Sequence, residues 1–348
     1  MFKRILAALC CITLIFAVGC DNDVVYDDLS NYETESDTES KAEVLSVNPL
    51  TGEANVSSEV AARRPVAIMI ENSSVSMPVQ TGLSKADIVY ETEVEGGITR
   101  LMAVYQDITD MEKIGNVRSA RYPYVDLALG HNAIYIHCGQ DPTYCAPHLD
   151  DIDDISVDGK FDKKSEDGAQ RFENGTKNTE HKLYVWANDL WNSINKKFNT
   201  EQKNASLWQD FTDEKLSLDG GTATSVSIPF PASTTQFTYD EASGLYTRLI
   251  KSTVQTDYFT KETTQVKNVF ILLTSISNYP DGKHRKVALE SGDGYYITNG
   301  TVQFIKWSKG NSTDGFKFTD TEGNEIDVSV GNSWVCIANK STCNPTIQ

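Results

Sequence analysis

Glu91, Glu93 and Glu95 fall at every second position. In a strand that spacing sets three carboxylates about 7 Å apart on one face. Unopposed they repel, so the pattern calls for cations, hydrogen bonds or solvent opposite them. Gly96-Gly97 follows and marks a bend or close backbone approach before Arg100. Arg118 and Arg121 stand three apart, which places them on one face of a helical turn. Guanidinium forks suit the carboxylates and phosphates of a ligand. They suit Glu91 or Glu95 inside the protein equally well. His137 ends an apolar run, and His181 precedes an aromatic one. Strand ends and helix starts are where α/β sheets bind ligands. A carboxylate beside a histidine would do general acid–base work, and Glu95 with His137 is the candidate pair.

Other patterns carry less. Asp150, Asp151, Asp153, Asp154 and Asp158 invite a calcium loop, but their spacing lacks the alternate oxygens and closing Glu of an EF-hand. A solvated acidic loop accounts for them. Ser193 and Lys196 have the serine–lysine spacing of penicillin-binding enzymes, with no Lys-Thr-Gly partner in the chain. No nucleophile elbow, phosphate-binding glycine loop or paired-histidine zinc motif occurs. Seven cysteines are present. Setting aside Cys10, Cys11 and Cys20 leaves Cys138 near Cys145 and Cys336 near Cys343. These suit disulfides, whose pairing the sequence leaves open, or buried thiols. A zinc site would have to draw on Cys138, Cys145, His137 and His148. No metal or cofactor is expected.

The elements that must position these groups read as strands and helices in mixed order. Residues 65–70, 86–91, 101–105 and 133–137 are short apolar runs that suit buried strands. Residues 123–132 suit a helix. The spacing of Trp186, Leu190, Trp191 and Ile194 predicts another over 184–198. Beyond about residue 205 the pattern turns to strands alone, at 226–229, 236–239, 246–250, 269–273, 294–298, 302–307 and 333–338. Ser243-Gly244, Asp281-Gly282, Asn299-Gly300 and Glu322-Gly323 punctuate them. Asn299-Gly300 between two alternating runs is a hairpin signal. The fold class expected is α+β: a mixed α/β domain over 61–205, then a mostly-β domain over 206–340. Trp307 and Trp334 are either core residues or an interaction patch for a protein partner.

The start of the chain speaks to location. Lys3 and Arg4 precede an apolar run over 5–18, and Ala17-Val18-Gly19 leads to Cys20. This is a secretory signal over 1–19 of the lipoprotein kind, with Cys20 the lipid-bearing residue. The run is too short to span a bilayer, which takes about 20 residues. Residues 20–60 are rich in Asp, Glu, Ser and Thr and read as an acidic disordered tether. The formal net charge is −18. A chain this acidic is a poor partner for nucleic acid and for an anionic membrane surface, so the lipid must attach it.

Asn48-Pro49-Leu50-Thr51-Gly52, Arg63-Arg64-Pro65-Val66-Ala67, Gly82 through Glu91, and Glu95-Gly96-Gly97-Ile98-Thr99-Arg100 form a set of motifs along the chain. Ile114 through Arg121, Ile134 through His137, His181-Lys182-Leu183-Tyr184, Ile305-Lys306-Trp307 and Gly331-Asn332-Ser333-Trp334 extend it. Together these stretches resemble the YerB-like bacterial lipoproteins. The similarity spans roughly residues 48–338. It implies two domains and an envelope location, and it supplies no catalytic residues. It gives weight to Glu91, Glu95, Arg100, Arg118, Arg121, His137 and His181, which fall inside its motifs. Asn116 and Glu180 stand where proline is usual in that pattern, and Cys138 where a small residue is. The function expected is an anchored extracytoplasmic protein binding an anionic envelope component, a peptidoglycan fragment or wall polymer. An envelope-acting hydrolase and a surface scaffold are the alternatives.

Overall fold

Strands buried on both faces dominate the interior. The computed structural model describes residues 45–202 and 206–348. The signal segment, Cys20 and most of the acidic tether lie outside the described residues. A ten-stranded mixed sheet runs through the molecule in the order Lys317–Thr319, Thr301–Ser308, Ser291–Thr298, Asn268–Thr274, Ser333–Asn339, Ile88–Glu93, Thr99–Tyr105, Val66–Glu71, Ile134–His137, Asp154–Ser156. Its central strands are apolar runs because layers cover both of their sides. The two sequence regions meet inside this sheet. Ser333–Asn339 lies parallel to Ile88–Glu93, with Ser333 opposite Ile88 and Ile337 opposite Thr92.

On one face, Val89, Leu101, Ile271 and Trp334 pack against the helix Ala187–Lys197 and a six-stranded antiparallel sheet built around Ser225–Phe230, Ser233–Asp240 and Leu245–Ile250. On the other, Tyr90, Met102, Phe270 and Val335 pack against the helix Tyr122–Leu129 and an aromatic group of Trp307, Phe316 and Phe318. The fold is α+β. Helices and strands mix up to residue 202, and the described residues from 206 onward hold strands and turns without a helix. Among the described residues no helix is long and apolar enough to cross a membrane.

Two expectations need correction. The helix predicted over 184–198 begins only at Ala187. Leu183–Trp186 is a strand, because Lys113–Gly115 and Ala169–Arg171 flank it and pair with it on both sides. Asp189 in the helix's first turn and Lys196 and Lys197 in its last then complement the helix dipole. Residues 45–60, placed in the tether, are folded. Leu50 and Thr51 are buried there, and Asn48 Nδ2 donates to Asp87 Oδ1 at 2.8 Å. The acidic run that argued for disorder lies before residue 45. Trp307 and Trp334 are both core residues, 2% and 0% exposed, so neither forms a surface patch. All four described cysteines are free thiols.

Two groups in this frame titrate with opposite sign. Burial pushes the Asp87 carboxyl up to about 7, against the bonds it accepts from the Gln106 backbone and Asn48. The unfolded carboxyl ionises near 3.8. Its contribution to stability is therefore full below that value and lost as pH rises through about 7. Burial pulls the His131 imidazole down to about 4 from 6.5, beside the Tyr90 hydroxyl at 2.7 Å. Its contribution is full above about 6.5 and lost as pH falls toward 4. The two slopes oppose each other between about pH 4 and 7. Relative to the parent, Asp87→Asn is expected to gain stability as pH rises across that window and His131→Gln to lose it. Urea midpoints at about pH 5 and 7 would check both signs.

Candidate functional site

The carboxyl ends of the parallel strands share one edge of the large sheet. Val66–Glu71 ends in Glu71, Ile134–His137 in His137, and Ile88–Glu93 in Glu93. Thr99–Tyr105 runs the other way and starts there, with Arg100 directly opposite Glu71. Residues 117–121 cross this edge and are pinned by main-chain bonds. Arg118 N donates to Met69 O at 3.0 Å, Cys138 N to Arg118 O at 3.0 Å, and Ala120 N to Gly139 O at 2.9 Å. The chain thus delivers Arg100, Arg118 and Arg121 to one place. This is where open sheets of this kind bind ligands.

Two carboxylates stand among these arginines. Arg118 Nε pairs with Glu71, whose side chain is 2% exposed. Arg118 also reaches the exposed Glu180 at 3.4 Å. Arg121 Nε donates to Glu95 Oε1 at 2.5 Å, and its Nη1 to Ala120 O at 2.7 Å. Arg100 lies behind both, buried, with Nη1 on Ser119 O at 2.8 Å and Nε without a hydrogen-bond partner. Burial and the charges of Arg121 and Arg118 pull its pKa down to about 10, against the pull of Glu71 and Glu95. Burial raises Glu95, but the bond and charge of Arg121 outweigh it and hold the carboxyl below its ordinary value.

The second sequence region closes this edge. A hairpin of Ile276–Asn278 and Arg285–Val287 brings His284 Nε2 to 3.2 Å from Glu95 Oε1 and 3.3 Å from Asp141 Oδ1. Its Nδ1 bonds Asp281 Oδ2 at 2.5 Å. Burial raises the Glu93 carboxyl, and Arg285 at 3.3 Å opposes this. Tyr279 stacks on Tyr144 with ring centres 3.9 Å apart.

The remaining sequence candidates are engaged by other partners. Glu91 does not face the arginines. Strand alternation turns it to the opposite face from Arg100, under the six-stranded sheet. There Asn72, Thr99 and Thr235 donate to Oε1 at 2.8–2.9 Å, and Trp334 Nε1 donates to Oε2 at 3.0 Å. His137 is not beside Glu95's free side: Nδ1 lies 2.9 Å from Gly139 O and Nε2 2.9 Å from Asp154 Oδ2. Both ring nitrogens face acceptors of the protein itself. His181 is buried near Glu180, at 3.6 Å, and its Nδ1 has no partner. Glu71, Asp141, His284 and Arg285 join the edge although sequence reasoning passed over them. A carboxylate closing an apolar strand was the signal for Glu71. His284-Arg285 directly after the Asp281-Gly282 turn was a weaker one. Among the described residues no set of His, Cys, Asp and Glu side chains is placed to hold a metal ion.

Chemically the edge offers forked donors to an anion, with carboxylates that orient them. It also sets His284 against three carboxylates, Glu95, Asp141 and Asp281.

Comparison with known proteins agrees with this architecture. The family described as "Protein of unknown function (DUF3048)" matches through its N-terminal domain over residues 50–202 and its C-terminal domain over 226–335. The protein named "Putative lipoprotein YerB" of Bacillus subtilis (strain 168) is 28% identical over 303 residues, covering 83% of this chain and 85% of that protein. The crystal structure of YerB from Bacillus subtilis superposes with a TM-score of 0.69 at 26% identity, covering 86% of this chain and 98% of that one. Similarity to a protein named as a lipoprotein supports a lipoprotein whose function is unassigned. With both domains matched in order over most of its length, the chain belongs to the DUF3048 family.

Proposed function

We propose that this protein is lipid-anchored on the extracytoplasmic face of the bacterial membrane and binds an anionic envelope component, a peptidoglycan fragment or wall polymer, at the arginine edge. One observation carries the reading. Arg100, Arg118 and Arg121 are gathered at the carboxyl end of the sheet, and the most buried of them keeps an Nε donor unpaired. A buried donor without an acceptor costs about 1–3 kcal/mol, which a bound anion would recover. The signal-like segment ending at Cys20 and the lipoprotein relative support the anchor. A hydrolase reading has one contact in its favour, His284 beside Glu95, in place of His137.

The test is co-sedimentation of the detergent-solubilised full chain with purified sacculi. The parent should sediment with them. Arg121→Ala combined with Glu71→Gln and Arg118→Gln removes two of the three forks, takes Glu71 out together with its direct partner and leaves Arg100 to Glu95. It should weaken binding at least about tenfold, since each charged hydrogen bond contributes about 1.5–3 kcal/mol. Unchanged binding by a folded variant would sink the arginine role. Fragments released into the supernatant would move the reading to hydrolysis.

A further inference from the structure

Binding at Arg121 needs room, and the closed edge has almost none. The space bounded by Glu95, Arg121, Tyr144, Tyr279, His284 and Arg285 is about 10 Å³, enough for about one water. A sugar or polymer unit does not fit into this space against the guanidinium unless one of its walls moves. Three walls of the space belong to the large sheet, the helix Tyr122–Leu129 and the segment after His137. The fourth is the hairpin of residues 276–287, which forms its own two-stranded sheet outside the large one. An isolated two-stranded hairpin is marginal by itself. Its base is anchored: Ile276, Val287 and Leu289 are buried, Asn339 Nδ2 donates to Ile276 O at 2.9 Å, and Thr274 Oγ1 to Ala288 O at 2.8 Å. Its tip is held by polar and aromatic contacts at a partly exposed surface. These are His284 with Glu95 and Asp141, Arg285 with Glu93, and Tyr279 on Tyr144.

We propose that this hairpin is a hinged arm that shuts the arginine edge, latched by His284, Arg285 and Tyr279, and that an anionic ligand reaches Arg121 only when the arm lifts. This deepens the anion-binding reading above and rests on it. Glu95 Oε1 couples the two events, because Arg121 and His284 share it. Arg121 holds Glu95 Oε1 where His284 meets it, so a ligand anion that draws Arg121 away removes the support of that latch contact. By linkage, loosening the latch favours the ligand by the same factor. If the open state is a minor one, apparent affinity is reduced by its fraction, so a weakened latch should bind more tightly.

The test pairs hydrogen exchange of the 276–287 amides with sacculus binding, on the full chain. Tyr279→Ala removes a latch contact without changing charge, and His284→Ala removes the contact to Glu95 and Asp141. Both should speed exchange of the arm about tenfold while the central strands stay protected. Tyr279→Ala should also bind sacculi several-fold more tightly. Unchanged arm exchange in both variants would overturn the latch. So would faster exchange with binding unchanged or weaker in Tyr279→Ala. Arg121→Ala separates the two claims. If it keeps full binding, the anion site fails, whereas the arm's exchange still reports on the latch.

Discussion

Replacing Glu91 with alanine is expected to cost about 3–5 kcal/mol of stability, the loss seen when one partner leaves a buried charge network. For a chain of this size that is roughly a 10 °C fall in Tm. Glu91 is 0% exposed. Without it the Thr99, Thr235 and Trp334 donors lose their acceptor in the interior. Thr235 lies in Ser233–Asp240, so the same carboxylate ties the six-stranded sheet to the large one. Arg248 would lose most. It is buried with its guanidinium carbon 4.5 Å from the centre of the Trp334 ring, and burial already lowers its pKa against the opposing charge of Glu91. Adding Arg248→Met to Glu91→Ala should restore a good part of the loss, because an apolar replacement removes the stranded cation as well. Thermal unfolding of the two single variants and the double variant would check this. A loss below about 1 kcal/mol in Glu91→Ala would mean the network is not held by its charge.

Much of the large sheet was legible because burial on both faces leaves unbroken apolar runs, as at residues 65–70, 269–273 and 333–338. Asn299-Gly300 was legible for a backbone reason. Their φ angles, 52° and 75°, are those a tight hairpin turn demands, and few other residues adopt them cheaply. The helix start at 187 was not legible, since aromatic spacing alone cannot tell that two neighbouring strands claim Leu183–Trp186. The acidic triplet was half legible. Period two holds through the strand, but the strand ends at Glu93, and the turn Glu95–Gly97, with Gly96 and Gly97 at positive φ, swings Glu95 to Arg121. The rest of the edge depends on register and distance along the chain. Glu71 matters because pairing sets it opposite Arg100, and His284 reaches Glu95 from the other sequence region. No local pattern encodes either contact. His137 shows the converse: its place at a strand end was readable, while the Asp154 that occupies its Nε2 was not.

Arg118→Ala is expected to cost about 3 kcal/mol, the low end for a broken buried pair, because Glu71 loses its direct partner and keeps only Arg100 opposite it. The lost contact to Glu180 would add little, since that carboxylate is exposed and surface pairs contribute about 0–1 kcal/mol. Glu71→Gln alone should cost less than Arg118→Ala, as Arg118 keeps Glu180 and 23% of its side chain stays in solvent. Glu71→Gln with Arg118→Gln should recover much of the stability, with a coupling of roughly 2 kcal/mol between the two sites. That cycle, read by urea unfolding, separates two roles that one alanine variant confounds. If the pair serves only the fold, the double variant is nearly as stable as the parent and sediments with sacculi unchanged. If it serves the anion site, the double variant is equally stable and binds less. Strong destabilisation of the double variant would place the loss in packing around the Arg118 stem or on the buried Arg100, which loses the opposing charge of Glu71.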